Sequence, residues 1–419
     1  MEEFRIRRHC TPAEAGRYLR LPFEVPAGVD RLDLSYSYPR TAVKPNVVDI
    51  GLLDETGRVR GWSGSERLEV TVSAGGATPG YRAGAVRPGR WTVILGLYRI
   101  LEDLDAGIHV RFRPATPLLL AGDVHLHTLH SDGVMGTAEM ISACREAGLD
   151  FIALTDHNNT EQNLEAAWSP SPVVISGMEY THYRGHASFL FPGERERFDE
   201  DLFTDSEDGM RDVFRRARAR GALIGINHPE CPLCPWKFGY DRVGFDMLEA
   251  WNGPMKPSET KAVALWHGFL SKGRRIAAVG GSDTHRLEPR RSCGKPTTFV
   301  RAASRAREDI LEALRAGRSF ITCSPEGPRP DLRIGDAGPG GTAPCRAAEG
   351  EVTADRVRAG DMVRLLDGTG SREWRVASDR AFSARFPARR EAGFYRVEIW
   401  REDGGAPVLS ALTNPVFLD

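Results

Sequence analysis

The sequence predicts an α/β protein: βα units set around a parallel sheet or barrel, with an antiparallel β-sandwich before them and a small β domain after. Three observations carry this. Apolar residues alternate with period two in short bursts up to about residue 116. From about 118 to 325, apolar runs alternate with amphipathic helical patterns. Beyond about 328 the chain is Gly- and Pro-rich and then alternates again. Period two marks a strand with one buried face, whereas apolar runs separated by helical patterns mark βα units. The 419 residues exceed one ordinary domain, and the patterns divide them as 1–116, 117–327 and 328–419.

In the first segment Leu32, Leu34, Tyr36 and Tyr38 share a face, as do Leu68, Val70 and Val72. The pattern repeats in Trp91, Val93, Leu95 and Leu97, and in Ile108, Val110 and Phe112, with DETG (54–57) and RPGR (87–90) as turns between bursts. In the middle segment the strands read LLLAGDV (118–124), FIALTDHN (151–158), VVISGME (173–179), ALIGINHPE (222–230), FDMLEAWNG (245–253), RIAAVGGSDTH (275–285) and TTFVRA (297–302). A helix over 137–147 is expected from Met140, Cys144 and Ala147 on one face, with Thr137 as N-cap and Gly148 as terminator. Helical patterns recur at 258–273 and 307–317. In the last segment MVRLL (362–366), FYRVEIW (394–400) and NPVFL (414–418) read as strands.

Composition excludes several functions. A net charge of −1 gives no global field for nucleic acid or an anionic membrane. No run approaches the ~18 apolar residues of a membrane helix. MEEFRIRRHC lacks an apolar signal core, and seven scattered cysteines suit a reducing compartment, so a cytoplasmic location is expected. Cys231 and Cys234 form a CPLC pair without a second CxxC, which reads as a packed loop rather than a zinc knuckle.

The chemistry lies in the middle segment. In GDVHLHTLHSDG (122–133), His125 and His127 are two apart and project from the same side of a strand. Alone, the pair is either half of a metal site or two locally satisfied histidines. The rest of the chain decides between them. Asp156 and His157 end the second strand, Glu179 ends VVISGME, His228 ends ALIGIN, and Asp283 and His285 end AAVGGS; His186 instead starts a strand-like run. With Asp132 these make nine candidate ligands: His125, His127, Asp132, His157, Glu179, His186, His228, Asp283 and His285. Strand C-termini are where βα loops converge. Unpaired burial of such groups costs several kcal/mol each, which bound cations would relieve.

In order, HLHTLHSDG, TDHN, GME, GH, NHP and GSDTH resemble the motifs of the PHP (polymerase and histidinol phosphatase) superfamily of metallohydrolases, over roughly 118–325. The flanking β segments and GHASFLF are most similar to the branch that includes carbaryl hydrolase, the CehA/McbA-like proteins. The resemblance implies a distorted seven-stranded (β/α) barrel and three metals. His125, His127, Glu179 and Asp283 would hold the first, and Glu179 would bridge to a second held by His186 and His228. Asp132, His157 and His285 would hold the third. His182 competes with His186; the GH pattern at 185–186 favours His186. His130 is expected to be a neighbour, Asp156 an orienter of an imidazole, and His9, His109 and His267 ordinary packing or surface residues.

Mixed imidazole and carboxylate donors suit two to three divalent transition metals (Zn, Mn or Fe). Such a set demands hydrolysis, most naturally of a phosphoester on a small phosphorylated molecule, with Glu179, Asp283 and His285 carrying catalysis. Arg184, Lys237 and Arg286 are candidate phosphate contacts, with Arg291 nearby. Tyr183, Trp236, Tyr240 and Trp251 could wall an apolar leaving group. The alternatives are a carbamate, amide or ester hydrolase of the carbaryl-hydrolase type, or a non-catalytic binding protein. The complete ligand set argues against the last. Neither nucleic acid nor membrane is expected as a partner, and the sequence leaves the oligomeric state open.

Overall fold

A computed structural model describes residues 3–40, 45–74, 76–114, 117–166, 171–344 and 349–419. The chain divides into two compact units, Met1–Pro117 and Leu118–Asp419. Residues 115 and 116, at the expected first boundary, lie outside the described residues, as does Cys345.

The first unit holds two antiparallel sheets. One runs in the order Glu3–Cys10, Leu104–Pro114, Val29–Ser37, Glu69–Ser73, Gly76–Ala77; the other runs Tyr18–Val25, Gly89–Arg99, Val47–Leu53, Val59–Ser63. Both feed one core, in which Leu32, Leu34, Val70, Val72, Trp91, Val93, Leu95, Ile108 and Val110 are buried. Leu68, expected on the same buried face as Val70, is exposed. It precedes the strand at Glu69–Ser73, outside the ladder.

The second unit is built on strands β1 (Leu118–Asp123), β2 (Phe151–Leu154), β3 (Val173–His182), β4 (Gly185–Phe191), β5 (Leu223–Ile226), β6 (Met247–Asn252) and β7 (Ala277–Gly281). They are hydrogen-bonded in that spatial order. A single buried cluster takes side chains from every one of them, including Leu120, Phe151, Ile175, Leu190, Leu223, Met247 and Val279. Helices α1 (Thr137–Glu146), α2 (Glu161–Glu165), α3 (Glu207–Ala219), α4 (Pro257–Ser271) and α5 (Arg307–Arg315) lie between strands. Gly136, not Thr137, caps α1. Thr137 is the first helical residue, and its hydroxyl donates to Glu165.

The sheet departs from uniform βα alternation. β1–β2–β3 and β5–β6–β7 are parallel, but β4 is antiparallel to both its neighbours. The cause is a two-residue turn, Tyr183–Arg184, which folds the chain straight back. Gly185 follows at φ +127°, and a Cβ there would meet Trp236 at 2.6 Å, so only glycine fits. As a backbone ladder the seven strands form an open sheet. Its ends are tied at one point, where Leu126 bridges Thr284 in parallel and Asp283 N–H donates to His125 O at 2.9 Å.

The expected boundary at 327/328 has no counterpart as a separate unit. β1 also pairs with Thr297–Ala302, which pairs with Ser319–Thr322, and that strand pairs with Ala406–Thr413. The C-terminal strands Phe394–Asp403, Met362–Asp367 and Ser371–Arg375 continue this sheet. The sequence pattern identifies strands there, but it does not say which edge they cover.

β7 shows why that edge matters. Its backbone pairs with β6 on one side only, and side chains serve the other. Thr298 Oγ1 accepts from Gly280 N–H and donates to Gly280 O, both at 2.8 Å. Asn414 accepts from Ala278 N–H at 2.7 Å and donates to Ala278 O at 2.9 Å and to Ser319 Oγ. Asn414 is fully buried. Asn414→Ala therefore strands buried amide groups at roughly 1–3 kcal/mol each. Urea unfolding should show a loss of about 2 kcal/mol or more; an unchanged midpoint would contradict this role for the C-terminal segment.

Candidate metal centre

All nine candidate ligands gather at one rim of the β1–β7 sheet. His125 and His127 follow β1, His157 follows β2, His228 follows β5, and Asp283 and His285 follow β7. Glu179 sits near the end of β3, and the reversal after His182 brings the first residues of β4, including His186, to the same edge.

Glu179 is the centre. It is only 1% exposed, and its two oxygens face five imidazoles. Oε1 lies 3.3 Å from His125 Nε2, 3.3 Å from His186 Nδ1 and 3.1 Å from His228 Nε2. Oε2 lies 3.6 Å from His127 Nε2 and 2.8 Å from His157 Nδ1. Asn227 Nδ2 adds a hydrogen bond to Oε1 at 2.8 Å. Asp283 Oδ1 approaches His127 Nε2 at 3.1 Å, His125 Nε2 at 3.6 Å and His285 Nδ1 at 3.5 Å. Asp132, largely exposed, sits at the mouth, with Oδ1 3.0 Å from His285 Nε2 and 3.5 Å from His157 Nε2. Asp283 (φ +51°) and His228 (φ +27°) both hold left-handed backbone conformations, the kind of strain that accumulates where a side chain must be aimed at a site.

His125 Nε2, His127 Nε2, Glu179 Oε2 and His186 Nδ1 are buried and have no hydrogen-bond partner. The His157 Nδ1–H goes instead to Thr181 Oγ1 at 2.6 Å, and that hydroxyl donates to Glu179 O. Polar atoms left unpaired around a shared space, at such cost if it stays empty, suit divalent cations. Within each of His125/His127/Asp283, His125/Glu179/His228, His157/Glu179/His186 and His127/Asp132/His157/His285, the ligand atoms lie within 4.8 Å of one another. The same holds for His186/His228/Cys234.

The supporting contacts were not all legible. Glu249, buried in β6, accepts from His125 Nδ1 at 2.8 Å, from His228 N–H at 2.8 Å and from Asn252 Nδ2 at 3.1 Å. A carboxylate must accept, so His125 carries its proton on Nδ1 and offers Nε2 as a ligand. The only signal for Glu249 is an acid in the middle of the apolar strand MLEAWN (247–252). Gly281 makes room for this pair, since a Cβ there would meet His125 Cβ at 2.4 Å and Glu249 Oε1 at 2.6 Å. Asp123, whose carboxyl is pushed up to about 6 by burial, accepts from His125, Ser282 and Gly294 N–H groups. It thereby joins the exits of β1 and β7.

The residues singled out beside the nine ligands have partners of their own, and some differ from expectation. Asp156 touches no imidazole directly; it accepts from Thr128 N–H, Thr128 Oγ1 and Ser131 Oγ at 2.6–2.8 Å, which fastens the loop carrying Asp132, and Ser131 Oγ in turn lies 3.5 Å from His127 Nδ1. Both ring nitrogens of His182 are engaged by backbone, Nδ1 by Arg184 N–H and Nε2 by Thr204 O, and His186 reaches Glu179 instead. His130 pairs with Glu165. His9, His109 and His267 lie beside Asp105, Glu3 and Arg396 respectively. Arg184 is ion-paired with Glu207 of α3 at 3.6 Å, while Lys237 and Arg286 are exposed. Arg291 braces Asp283 at 3.7 Å. Trp236 and Trp251 are buried in the core and Tyr240 packs against it; of the four proposed wall residues only Tyr183 is exposed. The CPLC segment is not merely a packed loop, because Cys234 Sγ lies 3.6 Å from His228 Nδ1 and 3.2 Å from Cys231 Sγ.

Charge is balanced internally in the cation-free chain. Burial alone would strip protons from His125 and His228. Glu249, Glu179 and Asp283 outweigh it for His125, and Cys234, Glu179 and Glu249 outweigh it for His228, so both are held well above the ordinary histidine value. Burial likewise opposes ionisation of Glu179 and Asp283, yet the neighbouring imidazoles hold both well below the carboxylate range. The carboxylates are thus already ionised at neutral pH, and the raised histidines are the groups that must lose protons when a metal binds. Zn²⁺ added to the metal-free protein near neutral pH should release protons, read by calorimetry in buffers of different ionisation enthalpy. Its affinity should strengthen from about pH 6 to about pH 8; a flat profile without proton release would contradict the arrangement.

The model of the PHP domain family matches residues 123–226. That span holds His125, His127, Asp132, His157, Glu179 and His186; His228, Asp283 and His285 follow it. No curated protein matches the chain. Among solved structures, the chain is similar to a two-domain protein from Bacteroides vulgatus described as containing a predicted PHP-like metal-dependent phosphoesterase. The identity is 17%, covering 72% of this chain and 96% of that one, with a TM-score of 0.42. A putative metal-dependent phosphoesterase from Bifidobacterium adolescentis is 15% identical, covering 42% of this chain and 91% of that one, with a TM-score of 0.30. An amidohydrolase from Chromobacterium violaceum is 17% identical, covering 47% and 96%, with a TM-score of 0.32. Among the described residues no helix is long and apolar enough to cross a membrane.

Proposed function

We propose that this chain is a metal-dependent hydrolase of small phosphoesters, working through two or three divalent transition metals (Zn, Mn or Fe). One observation carries the reading: a buried carboxylate, Glu179, ringed by five imidazoles, with four buried ligand-type atoms left unpaired. In this reading His125, His127, Glu179 and Asp283 hold one cation. His186 and His228 share Glu179 to hold a second, and Asp132, His157 and His285 hold a third. Such cations supply Lewis acidity toward phosphoryl oxygens and make water a nucleophile at neutral pH.

The chain's own groups do the positioning. Glu249 keeps the His125 proton on Nδ1, and the Thr181 hydroxyl keeps the His157 proton on Nδ1, so both Nε2 atoms face inward. His285 donates Nδ1–H to Asp283 O at 3.0 Å, which turns its Nε2 toward Asp132. Arg291 holds Asp283 against rotation. Arg286, next to His285, and Lys237 are the phosphate contacts in this proposal; Arg184 is drawn off by Glu207.

Protein purified without chelator should contain two or three transition metals per chain by elemental analysis, and the double variant His125→Ala/His127→Ala clearly fewer. Glu179→Gln preserves shape and the Asn227 contact but removes the shared charge. Its turnover of bis(p-nitrophenyl) phosphate or p-nitrophenyl phosphate should fall by about 10² or more. An aryl carbamate hydrolysed far faster than either phosphoester would favour the carbaryl-hydrolase type and overturn the substrate class. Undiminished metal content in the double variant would overturn the centre itself.

A further inference from the structure

The first unit carries a feature unrelated to the metal centre. On the outward face of its four-stranded sheet, the Trp62 indole lies flat across two glycines of neighbouring strands. A Cβ on Gly51 would meet Trp62 Cε3 at 2.5 Å, and one on Gly96 would meet Cη2 at 2.7 Å. Glycine inside a strand weakens it and often marks a place where something must approach the backbone closely. Here the indole itself fills that space. One ring face rests on the sheet, and the side chain remains 39% exposed.

Two more aromatic side chains flank it. Tyr18, directly across from Gly96 in the ladder, stands edge-on to Trp62 with ring centroids 5.7 Å apart. Tyr98 projects on the same face two residues beyond Gly96. Tyr18 and Tyr98 are 70% and 73% exposed. Trp62 and Tyr98 line an open cavity of about 1020 Å³ that also takes in Asp49, Glu66, Glu69 and Ser65. The one arginine in that lining, Arg67, is occupied by the Pro79 carbonyl.

We propose that this face is a carbohydrate-binding site for a neutral hexopyranose chain, with Trp62 as the stacking platform. An exposed indole offers a flat apolar surface beside polar partners, which matches a sugar ring with an apolar face and a hydroxyl edge. The surrounding groups are acceptors: Asp49, which takes one hydrogen bond from the Ser65 backbone, Glu66, 3.8 Å from Arg40, and Glu69; each carboxylate has further lone pairs that sugar hydroxyls can fill. A phosphate or nucleic acid would meet three carboxylates, with Arg67 engaged by the Pro79 carbonyl and Arg40 by Glu66. A proline-rich helix also docks on aromatic residues, but it has few N–H groups to satisfy those acceptors.

The test uses the full chain with three probes: cellohexaose, maltohexaose and a decaproline peptide, followed by calorimetry and tryptophan fluorescence. Saturable binding of one hexaose with a tryptophan signal is expected. Tyr98→Ala, at an exposed position that leaves the fold intact, should weaken it about tenfold, and Trp62→Phe should weaken it further. Glu66→Gln should weaken it less. His125→Ala/His127→Ala should bind unchanged, which separates this site from the metal centre whether or not that centre hydrolyses phosphoesters. Failure of both sugars to bind, tighter binding of decaproline, loss of binding in the double histidine variant, or unaltered binding in Tyr98→Ala and Trp62→Phe would each overturn the proposal.

Discussion

One buried carboxylate constrains the second unit. Glu179 is almost wholly removed from water, and an isolated charge in that position costs several kcal/mol even after relaxation. It is tolerated because five imidazoles from four segments of chain converge on it. Each of those segments must leave its strand at the same edge. The parallel pairing of β1–β2–β3 and β5–β6–β7 achieves this for four of the histidines. The two-residue turn after His182 achieves it for His186 by reversing the chain there.

A second layer fixes the angles. Glu249 reaches His125 from 124 residues away and also receives the His228 backbone, so one carboxylate sets the aim of two histidines. Asp123 and the Leu126–Thr284 bridge join the exits of β1 and β7, which carry four of the nine candidate ligands. Behind β7, Thr298 and Asn414 saturate the strand edge. The C-terminal segment is thus energetically part of the site's scaffold, although it contributes none of the nine candidate ligands.

Much of this was legible in the sequence. HxH after an apolar run, DH at 156–157 and DTH at 283–285 announce themselves because period-two spacing and strand-end position are local properties. Glu249 was not singled out, since a single acid in a buried strand has no pattern; its meaning arises only when β6 lies beside β7 and faces His125. Asp156 shows the converse: adjacency to His157 suggests an imidazole partner, whereas its carboxylate meets Thr128 and Ser131 and reaches an imidazole, that of His127, only through the Ser131 hydroxyl. His182 and His186 were separable only by the turn between them, which decides which one faces Glu179. The C-terminal strands were recognisable as strands, but pairing partners are a tertiary fact that alternation does not encode.

The most direct test is X-ray absorption at the zinc edge of the Zn-loaded chain. Convergence on Glu179 predicts imidazole and carboxylate scatterers at ~2.0–2.2 Å, together with a metal–metal vector at ~3.5–4 Å. A dominant sulfur shell at ~2.3 Å would relocate the metal to Cys231 and Cys234. That result, or a mononuclear spectrum lacking any metal–metal vector, would contradict the account.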